Sequence, residues 1–244
     1  MNAKEATGLG SEVGDLIQAG RFAEAHQRLR PILGSRTPFA TLDRIGAEIG
    51  KGELLLVNEF LEQIAANKTM GGWAIIGSAL RQQLEGDLLG AFERCRSFVI
   101  AGDVWYATDI LGERVPGPAL VQYFEAALSS LAAWRVDQNR WVRRTVGVSA
   151  HFWAKRSRGA ADKTARAEKL LAFLEPMFGE RDMDAIKGIG WGLKTLGRYY
   201  PNLTSEWLMR QVALQPYGAL MLRKALTYLP PEQRVRVEEA VTRM

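Results

Sequence analysis

Trp105 and Asp109 stand four residues apart in the stretch Asp103-Val104-Trp105-Tyr106-Ala107-Thr108-Asp109-Ile110-Leu111-Gly112. On a helix that spacing puts both side chains on one face. A carboxylate beside an indole face is suited to holding a cationic or electron-poor group. Asp is a poor helix-interior residue and costly to bury without a partner, yet this one lies among Ala107, Ile110 and Leu111. Taken alone, the pair reads more readily as a solvated or ion-paired aspartate next to a core tryptophan. Gly102-Asp103 supplies a helix start, with the Asp103 carboxylate accepting from backbone N–H groups. Gly112, followed by Pro116 and Pro118, supplies a stop.

Two further stretches carry comparable side chains. In the helix expected over 182–200, Ile186, Ile189, Leu193, Leu196 and Tyr200 recur at helical spacing and form an apolar stripe for the core. One position over, Lys187, Trp191, Lys194 and Arg198 form a second stripe, cationic with an indole in its middle. Gly188, Gly190, Gly192 and Gly197 weaken this helix by up to about 1 kcal/mol each relative to alanine, which fits a close approach by another helix or a ligand. In the helix expected over 138–156, Val142, Val146, Ser149 and Trp153 form one side, with Trp141, Thr145, Val148 and Phe152 beside it; Arg140, Arg144, His151 and Lys155 lie on another face. His151 has no nucleophile near it in sequence and reads as a surface or capping histidine rather than a general base.

The elements that must position these groups are helical. Strand-like alternation is scarce, the hairpin dipeptides Asn-Gly and Asp-Gly are missing, and helical periodicity recurs over 10–19, 21–33, 38–50, 52–67, 71–85, 87–100, 103–112, 116–134, 138–156, 161–178, 182–200, 203–213, 217–228 and 231–243. Short helices in antiparallel pairs at a blurred period of about 35–45 residues predict an all-α, HEAT-like helical-repeat solenoid. It is expected to form a single domain over 1–244, since no stretch reads as a domain boundary. A compact irregular all-α domain is the structural alternative.

Composition narrows the classes. The single cysteine, Cys95, excludes an internal disulfide framework and suits a buried structural role in a reducing, cytoplasmic setting. With His26 and His151 as its only histidines, the chain has no motif-spaced metal or haem site. The first residues do not read as a signal peptide, and no apolar run approaches membrane-spanning length. The net charge is +5, but its distribution matters more. Between Arg140 and Lys169 nine basic residues face two acidic ones, net +7, leaving −2 for the rest. Charge this local fits a polyanion-binding surface.

Read in order, Trp105-x-x-x-Asp109, Asn139-x-Trp141-Val142-Arg143-Arg144 and Lys187-Gly-Ile-Gly-Trp191 resemble the AlkD-like DNA alkylation repair family of HEAT-like-repeat DNA glycosylases. Gly34-Ser-Arg-Thr37-Pro38 and Leu222-Arg223-Lys224-Ala225 extend the resemblance over roughly 20–230. It implies a concave DNA-binding face, two indoles from Trp105 and Trp191 lining the site, Asp109 as the catalytic carboxylate, and an arginine gripping DNA. Arg143 and Arg144 are both available for that grip, and the resemblance, through the family's spacing from the tryptophan matched by Trp141, implies Arg144. Arg140, Arg143, Lys155, Lys187, Lys194 and Arg198 are the expected DNA-binding cations.

The implied partner is double-stranded DNA containing N3- or N7-alkylated purines, bound by a monomer with no metal or other cofactor. Such a base is already cationic and leaves without a general acid. The chemical demand is therefore one carboxylate to stabilise the oxocarbenium-like sugar. The family is also unusual in not requiring the deep pocket into which glycosylases normally extrude a base. The rival functions are a non-catalytic binder of damaged or branched DNA and a HEAT-like protein-interaction scaffold.

Overall fold

The computed structural model describes residues 1–243. Among these, every regular element is helical: α1 Ala3–Gln18, α2 Phe22–Leu33, α3 Phe39–Ile49, α4 Leu54–Ala66, α5 Met70–Gln83, α6 Leu88–Gly102, α7 Trp105–Arg114, α8 Pro116–Gln122, α9 Phe124–Leu131, α10 Arg140–Ser157, α11 Thr164–Leu174, α12 Met183–Tyr199, α13 Pro201–Leu214, α14 Ala219–Leu226 and α15 Pro231–Thr242. The all-α repeat class predicted from periodicity is the observed one. No described helix is long and apolar enough to cross a membrane.

The chain divides into two compact units, Met1–Val115 and Pro116–Met244. In the first, α1, α3, α5 and α7 pack in sequence as one layer, with α2, α4 and α6 against them. In the second, α8, α10, α12 and α14 form such a layer, accompanied by α9, α11, α13 and α15. Each candidate residue on α7, α10 or α12 therefore belongs to this kind of layer in its own unit. Large apolar side chains close the two cores, Phe60, Trp73 and Phe98 in the first and Phe178, Leu193 and Leu196 in the second.

The expected boundaries of α7 are corrected at both ends. Asp103 does not start a helix; it caps the C-terminus of α6 in the left-handed conformation (φ 46°), and α7 begins at Trp105 after an extended Val104. Asp tolerates that conformation better than most side chains, because its short polar group can bond locally. Gly112 does not stop α7, which runs on to Arg114. There Arg114 makes a bidentate pair with Asp43 of α3 (Nε–Oδ1 2.6 Å, Nη2–Oδ2 3.2 Å) and lies against Gly77 of α5. Asp43 also accepts from Ser78 Oγ at 2.8 Å. This anchor fixes the helix that carries Trp105 and Asp109. The helix expected over 116–134 is broken into α8, α9 and a 3-10 turn at Ala133–Val136.

Candidate functional site

Burial separates the seven tryptophans into two groups. Trp73, Trp134, Trp141, Trp153 and Trp207 are core residues, Trp191 is half-buried, and Trp105 is 55% exposed. An indole is a large apolar body that a fold normally covers. The two outside the core are the two that the family resemblance assigns to the lining of the site, while Trp141 of the middle motif is core; the reading of Trp105 as ordinary core is overturned. Trp105 opens α7, edge-on to Tyr106 with ring centroids 5.8 Å apart. Asp109, one helical turn further on, is half-buried.

In the second unit, α10 and α12 place the remaining groups. Each helix has a side-chain cap at its N-terminus. Asn139 Oδ1 accepts from the amides of Trp141 (2.8 Å) and Val142 (3.4 Å), and Asp182 Oδ1 from those of Asp184 (2.9 Å) and Ala185 (3.1 Å). The Asn of the Asn-x-Trp motif thus has a structural task.

The two helices then approach through glycine. A Cβ added at Gly147 would lie 2.3 Å from the carbonyl carbon of Gly188, and one added at Gly188 would lie 2.5 Å from Arg144 Cγ. The glycines of α12 admit another helix, and they explain why Arg144 and His151 are covered. The polar-looking side of α10 is the side that faces α12.

The adjacent arginines go to different partners. Arg143 pairs with Glu180 (Nε–Oε2 2.6 Å, Nη2–Oε1 3.3 Å) and donates to the carbonyls of Asp137 (2.6 Å) and Gln138 (3.1 Å). Burial alone would raise the Glu180 carboxyl, but hydrogen bonds from Arg143 and from the amides of Asp182 and Arg181 bring it below its usual range. Arg143 thereby ties the entrance of α10 to that of α12. Arg144 is only 6% exposed and donates from Nη1 to the carbonyl of Asp184 at 2.9 Å. The Asp184 carboxylate meets Lys187 at 3.1 Å and Arg140 at 3.7 Å, so Arg140, Arg144 and Lys187 gather around one residue. Arg140 also lies over the Trp141 ring.

The second stripe of α12 is arranged as its spacing predicts, with Lys187 and Arg198 exposed and Trp191 and Lys194 half-buried. Lys194 sits 4.8 Å and Arg198 5.8 Å from the centroid of the exposed Tyr228 ring. Lys155 is exposed near the end of α10.

Two residues of this face have no role in the motif reading, although one of them, Lys224, lies within the Leu222-Arg223-Lys224-Ala225 motif. His151 is 7% exposed, neither surface nor cap, and stacks on Trp191 with ring centroids 3.9 Å apart and planes 25° apart. Its Nδ1 is 2.8 Å from Thr195 Oγ1. Burial, then the positive charges of Lys155 and Lys194, push the imidazole down to about 4. Lys224 of α14 lies with its stem across Gly190. Burial lowers its ammonium from the usual lysine range, as do Lys194, Lys187, Arg144 and Arg223 in that order. Every charge acting on it is positive, which marks a focus of positive potential. The second unit as a whole holds 20 basic against 12 acidic residues, net +8. No group of three or more His, Cys, Asp or Glu suited to a metal occurs among the described residues.

A family model described as DNA alkylation repair enzyme matches residues 13–229. Comparison with curated proteins finds no match.

Proposed function

This chain belongs to the DNA alkylation repair enzyme family, and from that premise we propose that it is a DNA glycosylase releasing cationic N3- or N7-alkylated purines from duplex DNA. The observation that carries this reading is the pair of indoles left outside the core. Of the seven tryptophans, only Trp105, one turn from Asp109, and Trp191, beside the cationic stripe of α12, lie outside the core.

The proposed chemistry follows from what such a lesion needs. When the C1′–N bond breaks, its electron pair neutralises the purinium, and positive charge appears on the deoxyribose. A preorganised carboxylate, Asp109, stabilises that charge. It also orients the water that adds to C1′ and takes its proton. The negative faces of the Trp105 and Trp191 indoles favour a sugar that is becoming cationic. Arg144 is held in place by the Asp184 carbonyl and grips a phosphate beside the lesion. Arg140, Lys155, Lys187, Lys194 and Arg198 supply sequence-independent backbone contacts. Arg143, engaged with Glu180, keeps the two helix entrances in register. Lys224 joins the phosphate contacts.

The test is release of free 7-methylguanine or 3-methyladenine from methylated duplex DNA. The glycosylase reading expects release that is lost in Asp109→Asn. Tight, salt-dependent binding with no base release would replace it with a binding function, and negligible DNA affinity at low salt would replace both with a protein scaffold.

A further inference from the structure

We propose that His151 is a positioning residue that sets the plane of the Trp191 indole. The inference rests on the reading above only for its catalytic consequence; the positioning itself stands on the geometry. The imidazole and indole stack at 3.9 Å between centroids with planes 25° apart. A tryptophan on a helix has two side-chain torsions to settle, and packing from one side usually settles them. Here that packing is a flat ring held at its far edge. Thr195 Oγ1 donates to the backbone carbonyl of Trp191 at 2.8 Å, leaving its oxygen to accept from His151 Nδ1–H, also at 2.8 Å. The chain of bonds runs from the indole's own backbone through a threonine hydroxyl to the ring stacked on the indole. It closes on itself and fixes both the tautomer and the tilt of the imidazole.

The groups that face this ring explain why it is a neutral plate rather than an acid or base. Lys155 on α10 and Lys194 on α12 both oppose its protonation, in addition to burial. A neutral imidazole offers the indole a flat surface without drawing on its π density. That density is then available to the sugar cation that Trp191 is proposed to meet. A Leu or Met of similar volume would fill the space but would neither fix a plane nor reach Thr195.

The experiment labels the protein with 5-fluorotryptophan and assigns the Trp191 resonance by its disappearance in Trp191→Phe. In the wild type, that resonance should be single and narrow. In His151→Ala it should shift and broaden or split while the core tryptophan resonances stay in place, which also reports that the variant is folded. His151→Phe, which restores a flat plate, should return a narrow line. Single-turnover excision should fall about tenfold in His151→Ala with DNA affinity unchanged within about twofold, and His151→Phe should recover most of it. An unchanged Trp191 resonance in His151→Ala would overturn the positioning role whatever the activity. An equal loss of affinity and excision, not recovered by phenylalanine, would assign His151 to general stability instead. A wild type that excises nothing would refute the glycosylase reading, and the fluorine spectra would still decide the role of His151.

Discussion

Replacing Gly147 with alanine should destabilise the protein although alanine is the better helix former. In an open helical site the exchange stabilises by up to about 1 kcal/mol. At Gly147 the added methyl would meet the Gly188 carbonyl carbon and oxygen and the Ile189 amide nitrogen, each at 2.3 Å. These are backbone atoms of α12 and cannot swing aside like a side-chain end. Ordinary carbon contacts begin near about 3.5 Å, so α10 and α12 must part by about 1 Å along a line that includes Arg144 and His151. Overpacking of this kind costs about 1–3 kcal/mol, and the net expectation is a loss of about 1–2 kcal/mol. The assay is urea unfolding followed by far-UV circular dichroism, with Gly8→Ala as the control. Gly8 is an exposed residue inside α1 whose added methyl would meet nothing within 4 Å. Gly8→Ala should gain about 0.5–1 kcal/mol. If Gly147→Ala gains stability as Gly8→Ala does, the glycine contact is not what holds the two helices together.

Two further outcomes follow from the charges of the second unit. His151 titrates near 4 when folded against 6.5 for the free side chain, so between those values the unfolded chain binds the proton more readily. Its contribution is complete above pH 6.5 and is lost as pH falls towards 4; in all it is about 3 kcal/mol at 1.36 kcal/mol per unit. The stability difference between wild type and His151→Phe, followed by urea unfolding from pH 7 to 4, should change by that order, and a constant difference would show that the imidazole is not shielded. Lys224→Gln should flatten the dependence of log binding constant on log salt by about one unit for undamaged duplex DNA. The exposed Lys4→Gln should leave it unchanged, and equal slopes for the two variants would remove Lys224 from the interface.

What the sequence made legible was whatever one helix decides. The apolar stripe Ile186, Ile189, Leu193, Leu196 and Tyr200 is buried throughout, and the neighbouring stripe of Lys187, Trp191, Lys194 and Arg198 reaches the surface. The pairing of Trp105 with Asp109 is likewise a property of one turn of α7. What stayed hidden depends on partners far along the chain. Arg143 and Arg144 look alike in sequence, and Glu180, 37 residues beyond Arg143, is what separates them. His151 and Arg144 read as solvent-facing because their side of α10 is polar. They are covered because glycines on both helices let α12 press against that side. Asp103 reads as a helix start for a local reason: aspartate caps helix starts far more often than it ends a helix in the left-handed conformation.

The central claim is that Asp109 acts on the transition state for base loss rather than on DNA binding or folding. Single-turnover release of 7-methylguanine from a methylated duplex, measured beside the affinity for that duplex, addresses it directly in the wild type and in Asp109→Asn. The isosteric amide removes the charge and keeps the shape, so excision should fall by about 10²–10³-fold, as for loss of one electrostatic stabiliser, with affinity within about threefold of the wild type. Equal losses of affinity and excision, or an Asp109→Asn variant that excises as fast as the wild type, would contradict the assignment.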